Sequence, residues 1–593
     1  MNRTEKKRRI FVGVLTGCFL ILNGFGAVVS EKTEVAYLES PFADELCTYH
    51  IEKFKLVVHD GVKINGKVLI PDLEIDPVDG DEKFPCVIFI HGWGGEGEDY
   101  QDVADKFAKG GYVAVLYDVR GFGNSGGKVY GISDIEIQDL KDVITFLIET
   151  EDFRVDAENI GIGGLSLGGI HSFRIAAVDQ RVKTVVPIIG TYDLRQSIMP
   201  DGCLKLFYSL FLFSETLIAM TASTMMFLWA WLALTGIGLE QGVEEFEARS
   251  ADLEDIRCPI YMINGWDDHL FPANLALDAY EELDPSVPKK IYLCASGHPP
   301  ANEWEEEYDY IVEKMKDWFD YWLKGEPNSI MDEPPIEIAE HPWNGKTYFL
   351  EEYPIAGLND APLFFDRAKS ERRGSLGAGP VEDQGPDKIF NTFLINGLVD
   401  DAILLYLVDW MLGGFLPGAG DLMRRLPRGT RLGSVAYLSE PFEDNRTIIG
   451  IPHVTLYLKT DSPLPIEESF DIPFPWYGDL TKIISPAEFE VVVKIYDVNP
   501  DGEETLISRG NYFAIPDETG IHKIDFDLLA SYYTIVPRHR MKVTVSTSDF
   551  PFLQHSFNPF VISLYHDEEH PSSIEIPFIP LGEEGNYLTE VER

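Results

Sequence analysis

NIGIGGLSLGGIHSFRIAAVD, residues 159–179, passes from strand to helix through a single tight turn. Its first six residues form a short apolar and glycine run of strand character. GLSLG (164–168) makes the turn, and IHSFRIAAVD (170–179) has helical spacing. Gly164 and Gly168 let strand and helix approach closely, so the strained corner thrusts the hydroxyl of Ser166 outward. The elements upstream keep the same rhythm. FKLVVHDGVKINGKVLIP (54–71) reads as a hairpin with turn residues Asp60-Gly61 and Asn65-Gly66. CVIFI (86–90) is a continuous apolar strand ending in HGWGG, and YVAVLYD (112–118) is another, ending in RGFGNSGG. Helical patterns cover 99–109 and 133–150. Strands without polar alternation, separated by helices, predict a mostly parallel sheet covered on both faces.

A serine hydroxyl is a weak nucleophile at neutral pH and needs a base that is itself held by an acid. In this sheet type the partners follow in the order serine, acid, histidine. PIYMING (259–265) is the next strand, and the turn beyond it carries Trp266-Asp267-Asp268. KKIYLCASGHPP then supplies a further strand ending at His298, with helical spacing at Asn274–Leu283 between the two. The candidate relay is Ser166, His298 and one aspartate of the adjacent pair.

Four stretches, HDGVKINGKVLIP, YDVRGFGNSGG, GGLSLGG and GWDDHLFP, resemble the Xaa-Pro dipeptidyl-peptidase-like and cocaine-esterase-like serine hydrolases of the α/β-hydrolase fold. In that family the acid stands three residues after the glycine of G-W-x-D, which assigns the role to Asp268. Asp267 is then a candidate cap for the helix beginning near Pro272. The resemblance implies acyl transfer through a covalent intermediate. The oxyanion would be held by the backbone N–H of Leu167 and by that of Trp93 or Gly94 in HGWGG. The cocaine-esterase branch places a tyrosine hydroxyl there, and no tyrosine lies between His91 and Gly97. That departure favours a hole made of backbone alone.

From about residue 330 the alternation of helix and strand gives way to β-rich segments parted by Pro, Gly and Asp. IPHVTLYLKTDSP, FEVVVKIYDVNPDGEE and HRMKVTVSTSDFP read as antiparallel strands. They resemble the jelly-roll domain that follows the hydrolase in this family, with HPWNGKTYFLEEYPIAG as its opening strands. AKSERRGSLGAGPVEDQGPD reads as a loop. The expected organisation is a segment 1–30, a hydrolase domain 31–328 with a helical cap at 193–257, and a β-sandwich 329–593 carrying an apolar helical insertion at about 394–418.

The cap is the least family-like feature. Residues 206–238 hold one charge, Glu215. A single membrane crossing there would part Ser166 from Asp268 and His298, and two crossings need about twenty residues each. The run is therefore read as a cover over the site. It either packs against 398–418, or lines an acyl pocket with Phe207, Phe211, Phe213, Phe227, Trp229 and Trp231.

Composition bounds the remainder. Acidic residues outnumber basic ones 98 to 49, giving a net charge of −49, which repels phosphate backbones and argues against nucleic acid. MNRTEKKRR followed by the uncharged Ile10–Val29 reads as a signal peptide or a membrane anchor, and so predicts an extracytoplasmic protein, secreted or anchored. The cysteines form no disulfide framework, although Cys47 and Cys203 could pair. The thirteen histidines show no H-E-x-x-H spacing, and no cofactor is expected. The reading is a hydrolase of esters or amides of small acyl substrates. The alternatives are an Xaa-Pro dipeptidyl aminopeptidase and, in another class, a non-catalytic surface binding protein on a hydrolase scaffold.

Overall fold

The structure, a computed structural model, describes residues 47–72, 83–235, 239–298, 304–339, 343–370, 373–380, 382, 385–391, 433–461, 489–514, 520–549, 552–553 and 560–591. The N-terminal segment 1–30 and the apolar insertion 398–418 lie outside the described residues.

The first sheet begins with β1 (Tyr49–Val57), β2 (Lys63–Pro71), β3 (Phe84–Ile90), β4 (Val113–Tyr117), β5 (Val155–Leu165) and β6 (Val182–Ile188). It continues with β7 (Ile260–Gly265), β8 (Lys289–Cys294), β9 (Ile336–Ala339) and β10 (Thr347–Leu350). The spatial order is β1-β2-β4-β3-β5-β6-β7-β8-β9-β10, with the C-terminal pair Thr589–Glu590 closing the edge. Strands β4, β3, β5, β6, β7, β8 and β9 run parallel, and an antiparallel hairpin stands at each edge. Helices α1 (Gln101–Lys109), α2 (Asp134–Glu149) and α3 (Leu167–Val178) connect the early strands. The central strands are buried on both faces, which is why they read as unbroken apolar runs.

Two expectations shift here. Asn65-Gly66 is not a turn but lies inside β2, and only Asp60-Gly61 turns the hairpin. A Cβ at Gly66 would fall 2.4 Å from the Phe54 ring, so this glycine makes room for a cross-strand aromatic. The strands β9 and β10, expected among the antiparallel strands of the β-sandwich, join the first sheet: β9 pairs parallel with β8, Ile291 opposite Ile336. The apolar IEIA of β9 is fully buried at that edge, and burial outweighed the antiparallel pattern read from 336 onward.

Beyond residue 360 the described residues are mostly β: β11 (Leu363–Ser370), β12 (Arg373–Gly377), β13 (Asp387–Asn391), β14 (Ser434–Leu438), β15 (Arg446–Gly450) and β16 (His453–Asp461). Then come β17 (Phe489–Val498), β18 (Glu504–Ala514), β19 (His522–Asp527), β20 (Ser531–Ile535), β21 (Arg540–Ser546), β22 (Phe560–Tyr565) and β23 (Ser573–Glu575). The three strands expected from sequence are β16, β17 and β21. The stretch expected to be a loop instead contains β12, which pairs with β11 on one side and β14 on the other. RGSLG has weak strand propensity, and pairing on both sides overrides it. The domain docks on the hydrolase through Asn274, whose amide donates to Leu528 O (2.9 Å) and accepts from Ala530 N (2.7 Å).

The loop after β4 is anchored by Arg120, 2% exposed, which grips Asp139 in bidentate fashion (2.6 and 2.7 Å) and also reaches Asp60 (2.7 Å). Arg120→Leu would strand the buried Asp139 carboxylate, and a loss of about 3–5 kcal/mol is expected. A urea midpoint unchanged by the substitution would contradict this. Asp60 is drawn down to about 2 by its Arg120 hydrogen bond. Its contribution is therefore complete above the ordinary carboxylate range and is lost only as pH falls through about 2.

Candidate active site

Ser166 stands at the corner between β5 and α3 with φ 57° and ψ −109°, the strained conformation expected of an elbow. Its N–H donates to Ile188 O (2.8 Å), and its carbonyl accepts from Ile170 N (3.0 Å) as the first helical bond. The two glycines are required by contact. A Cβ on Gly168 would lie 2.1 Å from Ile90 O, and one on Gly164 would lie 2.7 Å from Gly168 Cα.

The three predicted catalytic side chains meet. His298 Nε2 lies 2.9 Å from Ser166 Oγ, and its Nδ1 lies 2.7 Å from Asp268 Oδ2. Asp268 Oδ1 accepts the N–H groups of Leu270 (2.9 Å) and Phe271 (2.8 Å), so the carboxylate is fixed on both oxygens. The Phe271 ring meets the imidazole edge-on at 4.9 Å. Both Asp268 and His298 are buried, which strengthens the relay by excluding water. Asp267 does not cap the following helix α8 (Ala273–Glu282), whose N-cap is Pro272 without a capping side chain. It pairs instead with His269 Nε2 at 3.1 Å.

Leu167 opens α3, so its N–H is one of the helix-terminal donors without an intrahelical acceptor. Leu167 and Trp93 both line the cavity above Ser166, whereas Gly94 does not. Of the two residues considered for the second donor, Trp93 is the one on the cavity wall. Gly94, with φ 80°, serves the turn in which Gly95 N donates to Gly92 O (3.1 Å). His91 holds this loop: Nδ1 bonds Gly92 O (2.7 Å) and Nε2 accepts from Val119 N (3.0 Å). Burial pushes its imidazole below the ordinary histidine range, which keeps it neutral in that role.

The cap is built of α4 (Leu194–Ile198), α5 (Leu206–Ile218), α6 (Thr224–Thr235) and α7 (Leu239–Glu247). Among the described residues no helix is long and apolar enough to cross a membrane. Trp93 Nε1 donates to Leu212 O (3.0 Å), tying the HGWGG loop to α5. Of the aromatic residues expected to line an acyl pocket, Trp229 alone stands on the cavity wall, joined by Leu212. Phe207 and Phe211 stack on one another, Phe213 meets Phe227 edge-on, Phe227 is 52% exposed, and Trp231 is not on the wall. The cavity is narrow, with about 20 Å³ of room for a water-sized body. Whether the cap packs against 398–418 lies outside the described residues.

Several supporting residues carry no signal that sequence reasoning used. Glu307 on α9 (Trp304–Phe319) accepts from Tyr292 Oη, Ala295 N (3.0 Å) and Ser296 Oγ (3.0 Å), fixing the strand end that presents His298. Lys205, 2% exposed, donates to Leu270 O (2.9 Å) and so braces the acid loop; burial drives its ammonium down to about 7. Glu215 lies beside the oxyanion loop, its Oε2 3.4 Å from where a Cβ on Gly94 would stand, and burial raises its carboxyl. Cys47 and Cys203 are both free thiols, so the pairing considered above does not form. His59, Asp139 and Asp142 offer three ligand atoms within 4.8 Å of one another, but Asp139 is already neutralised by Arg120.

Fold and relay together define a serine hydrolase of the α/β-hydrolase fold followed by a β-rich domain. The chain is more narrowly an Xaa-Pro dipeptidyl-peptidase-like protein. Residues 60–225 match the X-Pro dipeptidyl-peptidase (S15 family) domain, and 328–574 match the X-Pro dipeptidyl-peptidase C-terminal non-catalytic domain. A 31.7 kDa protein of Escherichia coli is 36% identical over 117 residues, covering 19% of this chain and 40% of that relative. A CocE/NonD family hydrolase from Staphylococcus aureus superposes with a TM-score of 0.63 at 15% identity, covering 90% of this chain and 94% of its own. An aminopeptidase from a marine sediment Thaumarchaeota archaeon does so at 0.64 and 16%, covering 93% and 100%.

Proposed function

We propose that the protein cleaves esters or amides of small, uncharged acyl groups through an acyl-enzyme on Ser166. The observation that carries this is the continuous relay from Asp268 through His298 to Ser166. His298 takes the Oγ proton as the oxygen attacks the carbonyl carbon, and Asp268 stabilises the resulting imidazolium. The oxyanion is met by N–H groups of Leu167 and Trp93. The imidazolium then gives its proton to the departing alcohol or amine, and a water activated by the same base releases the acid. A non-catalytic binding role gains no support from such a relay.

The cavity favours short acyl chains. Apart from Ser166 its wall is apolar, and Trp229 and Leu212 close it from above. A longer chain must displace them, and so forfeits the roughly 0.8 kcal/mol per methylene that an open pocket would supply. Across p-nitrophenyl esters from acetate to octanoate, kcat/KM is expected to peak by butyrate and fall about tenfold by octanoate. A steady rise to octanoate would show that the cap opens into an acyl groove.

One observation favours the second reading, an Xaa-Pro dipeptidyl aminopeptidase. Glu215 carries the sole charge of the run 206–238, has no polar side-chain partner among the described residues, and lies one turn along α5 from Leu212. A carboxylate there would receive a substrate amine. Under that reading, Glu215→Gln lowers turnover of Xaa-Pro p-nitroanilides while p-nitrophenyl acetate is unaffected. If neither variant nor parent cleaves the anilides, the ester reading stands. The basic head and uncharged run of residues 1–29 support export, and fractionation of the producing cells tests it.

A further inference from the structure

The relay does not end at Asp268. Its Oδ1 accepts from Phe271 N (2.8 Å), and that N–H belongs to the peptide group joining Leu270 to Phe271. The carbonyl of the same peptide, Leu270 O, accepts from Lys205 Nζ (2.9 Å). In a planar trans peptide the C=O and N–H point to opposite sides, so one rigid unit takes a hydrogen bond in at one end and passes one out at the other. The line then runs from Lys205 Nζ through this peptide to Asp268. It continues to His298 Nδ1 (2.7 Å), and from Nε2 to Ser166 Oγ (2.9 Å).

Lys205 is held where only its side chain is free to make this reach. It is the N-cap residue of α5 and 2% exposed. Its N–H donates to Ile198 O (2.8 Å), and its carbonyl accepts from Ser209 N (3.1 Å) and Ser209 Oγ (2.8 Å). The cap thus fixes the backbone, while the ammonium crosses to the acid loop. Lys205 does not line the Ser166 cavity, so it acts on the reaction through Asp268.

The surrounding charges leave Asp268 as its main counterpart. Arg509 of β18 is paired with Asp549, which also meets Lys494. Asp267 turns to His269 at 3.1 Å. On α5, burial pushes the Tyr208 hydroxyl well above its ordinary value, so it stays neutral. The Phe552 ring lies 5.9 Å from Nζ. Burial brings the ammonium down to about 7, against the pull of Asp268 and with the push of Arg509. Its positive charge is therefore present on the acid side of neutrality, where the base of the relay takes up its proton.

Two effects of that charge share one sign. It polarises the Leu270–Phe271 peptide, which strengthens the N–H bond to Asp268 and draws negative charge away from the imidazole. It also opposes the positive imidazolium directly. Both keep His298 free to accept from Ser166 at a lower pH than Asp268 alone would allow.

We propose that Lys205 is a positioning residue of the relay, a fourth link that holds Asp268 through the Leu270–Phe271 peptide and extends activity toward lower pH. The proposal rests on the relay through Ser166, and is independent of which acyl group is cleaved.

The test is the profile of kcat/KM for p-nitrophenyl acetate between about pH 5 and pH 8. Lys205→Met is expected to move the midpoint of the acidic limb up by about 0.5–1 pH unit, with KM unchanged. Lys205→Gln, a second uncharged side chain, should move it in the same direction. Lys205→Arg keeps the charge and should return the limb toward the parent's position. Replacing a buried ammonium by an apolar chain of similar volume is compatible with folding, and circular dichroism is read on each variant. A midpoint does not depend on the fraction of active enzyme, so partial misfolding cannot imitate the shift. The rate of fluorophosphonate labelling against pH gives the same midpoint without turnover. A limb that stays in place in both uncharged variants, or moves as far in Lys205→Arg, would overturn the proposal and leave Lys205 a support of the cap. Labelling that persists in Ser166→Ala would instead remove the relay itself.

Discussion

Ser166→Ala is expected to lower kcat toward p-nitrophenyl acetate by on the order of 10⁶, because the members of such a relay act as a unit and removing the nucleophile leaves only the oxyanion donors and binding. The fold should survive. Alanine keeps the same Cβ at φ 57°, so the strain at the corner is unchanged, and the backbone bonds to Ile188 and Ile170 do not involve the hydroxyl. Labelling by a fluorophosphonate should vanish with activity. Equal labelling of the mutant would mean that another serine reacts, and 2.9 Å from His298 would then be a coincidence of packing.

The relay was legible because each member sits at a strand end, where the backbone restricts what can stand. Gly164 and Gly168 mark the elbow by contact, and the strands before Asp268 and His298 announce themselves as apolar runs. The sheet was legible for the same reason, up to its edge. At β9 and β12 the pattern failed, since both are short and each takes one of its two partners, β8 and β14, from far away in sequence. The cap illustrates a different limit. Helices α5 and α6 are apolar on nearly every face, so nothing in their order says which ring meets the cavity, and the choice among Phe207, Phe211, Phe227, Trp229 and Trp231 is made by packing. Glu215 was visible as a lone charge, but its place beside Gly94 depends on how α5 lies across the oxyanion loop.

Residues that act through others were the least legible. Glu307 stands among the acids of an amphipathic helix, WEEEYDY, and Lys205 opens an apolar run; neither spacing suggests a brace. Their roles come from burial. A lysine whose ammonium is driven down to about 7 is held in place only because its Nζ completes the acid loop at Leu270. His269 is similar: sequence shows a histidine after two aspartates, and only the fold turns it away from Ser166 toward the other domain.

That turning separates the two aspartates, and it predicts unequal costs. In Asp268→Asn, Oδ1 still accepts from Leu270 and Phe271, which leaves the amide NH₂ facing His298 Nδ1. The imidazole must then carry its proton on Nε2, where it can no longer accept from Ser166, and a loss of about 10⁴ in kcat is expected. Asp267 has a side chain 37% exposed and pairs with His269, which does not line the Ser166 cavity. The pair takes no part in the relay from Asp268 to Ser166, so Asp267→Asn should cost less than about fivefold in kcat. The two variants differ by one position and by the same chemical change, which makes the comparison internally controlled. Measured kcat losses in the reverse order would transfer the catalytic role to Asp267, and would require the acid loop to rotate by one residue when substrate binds.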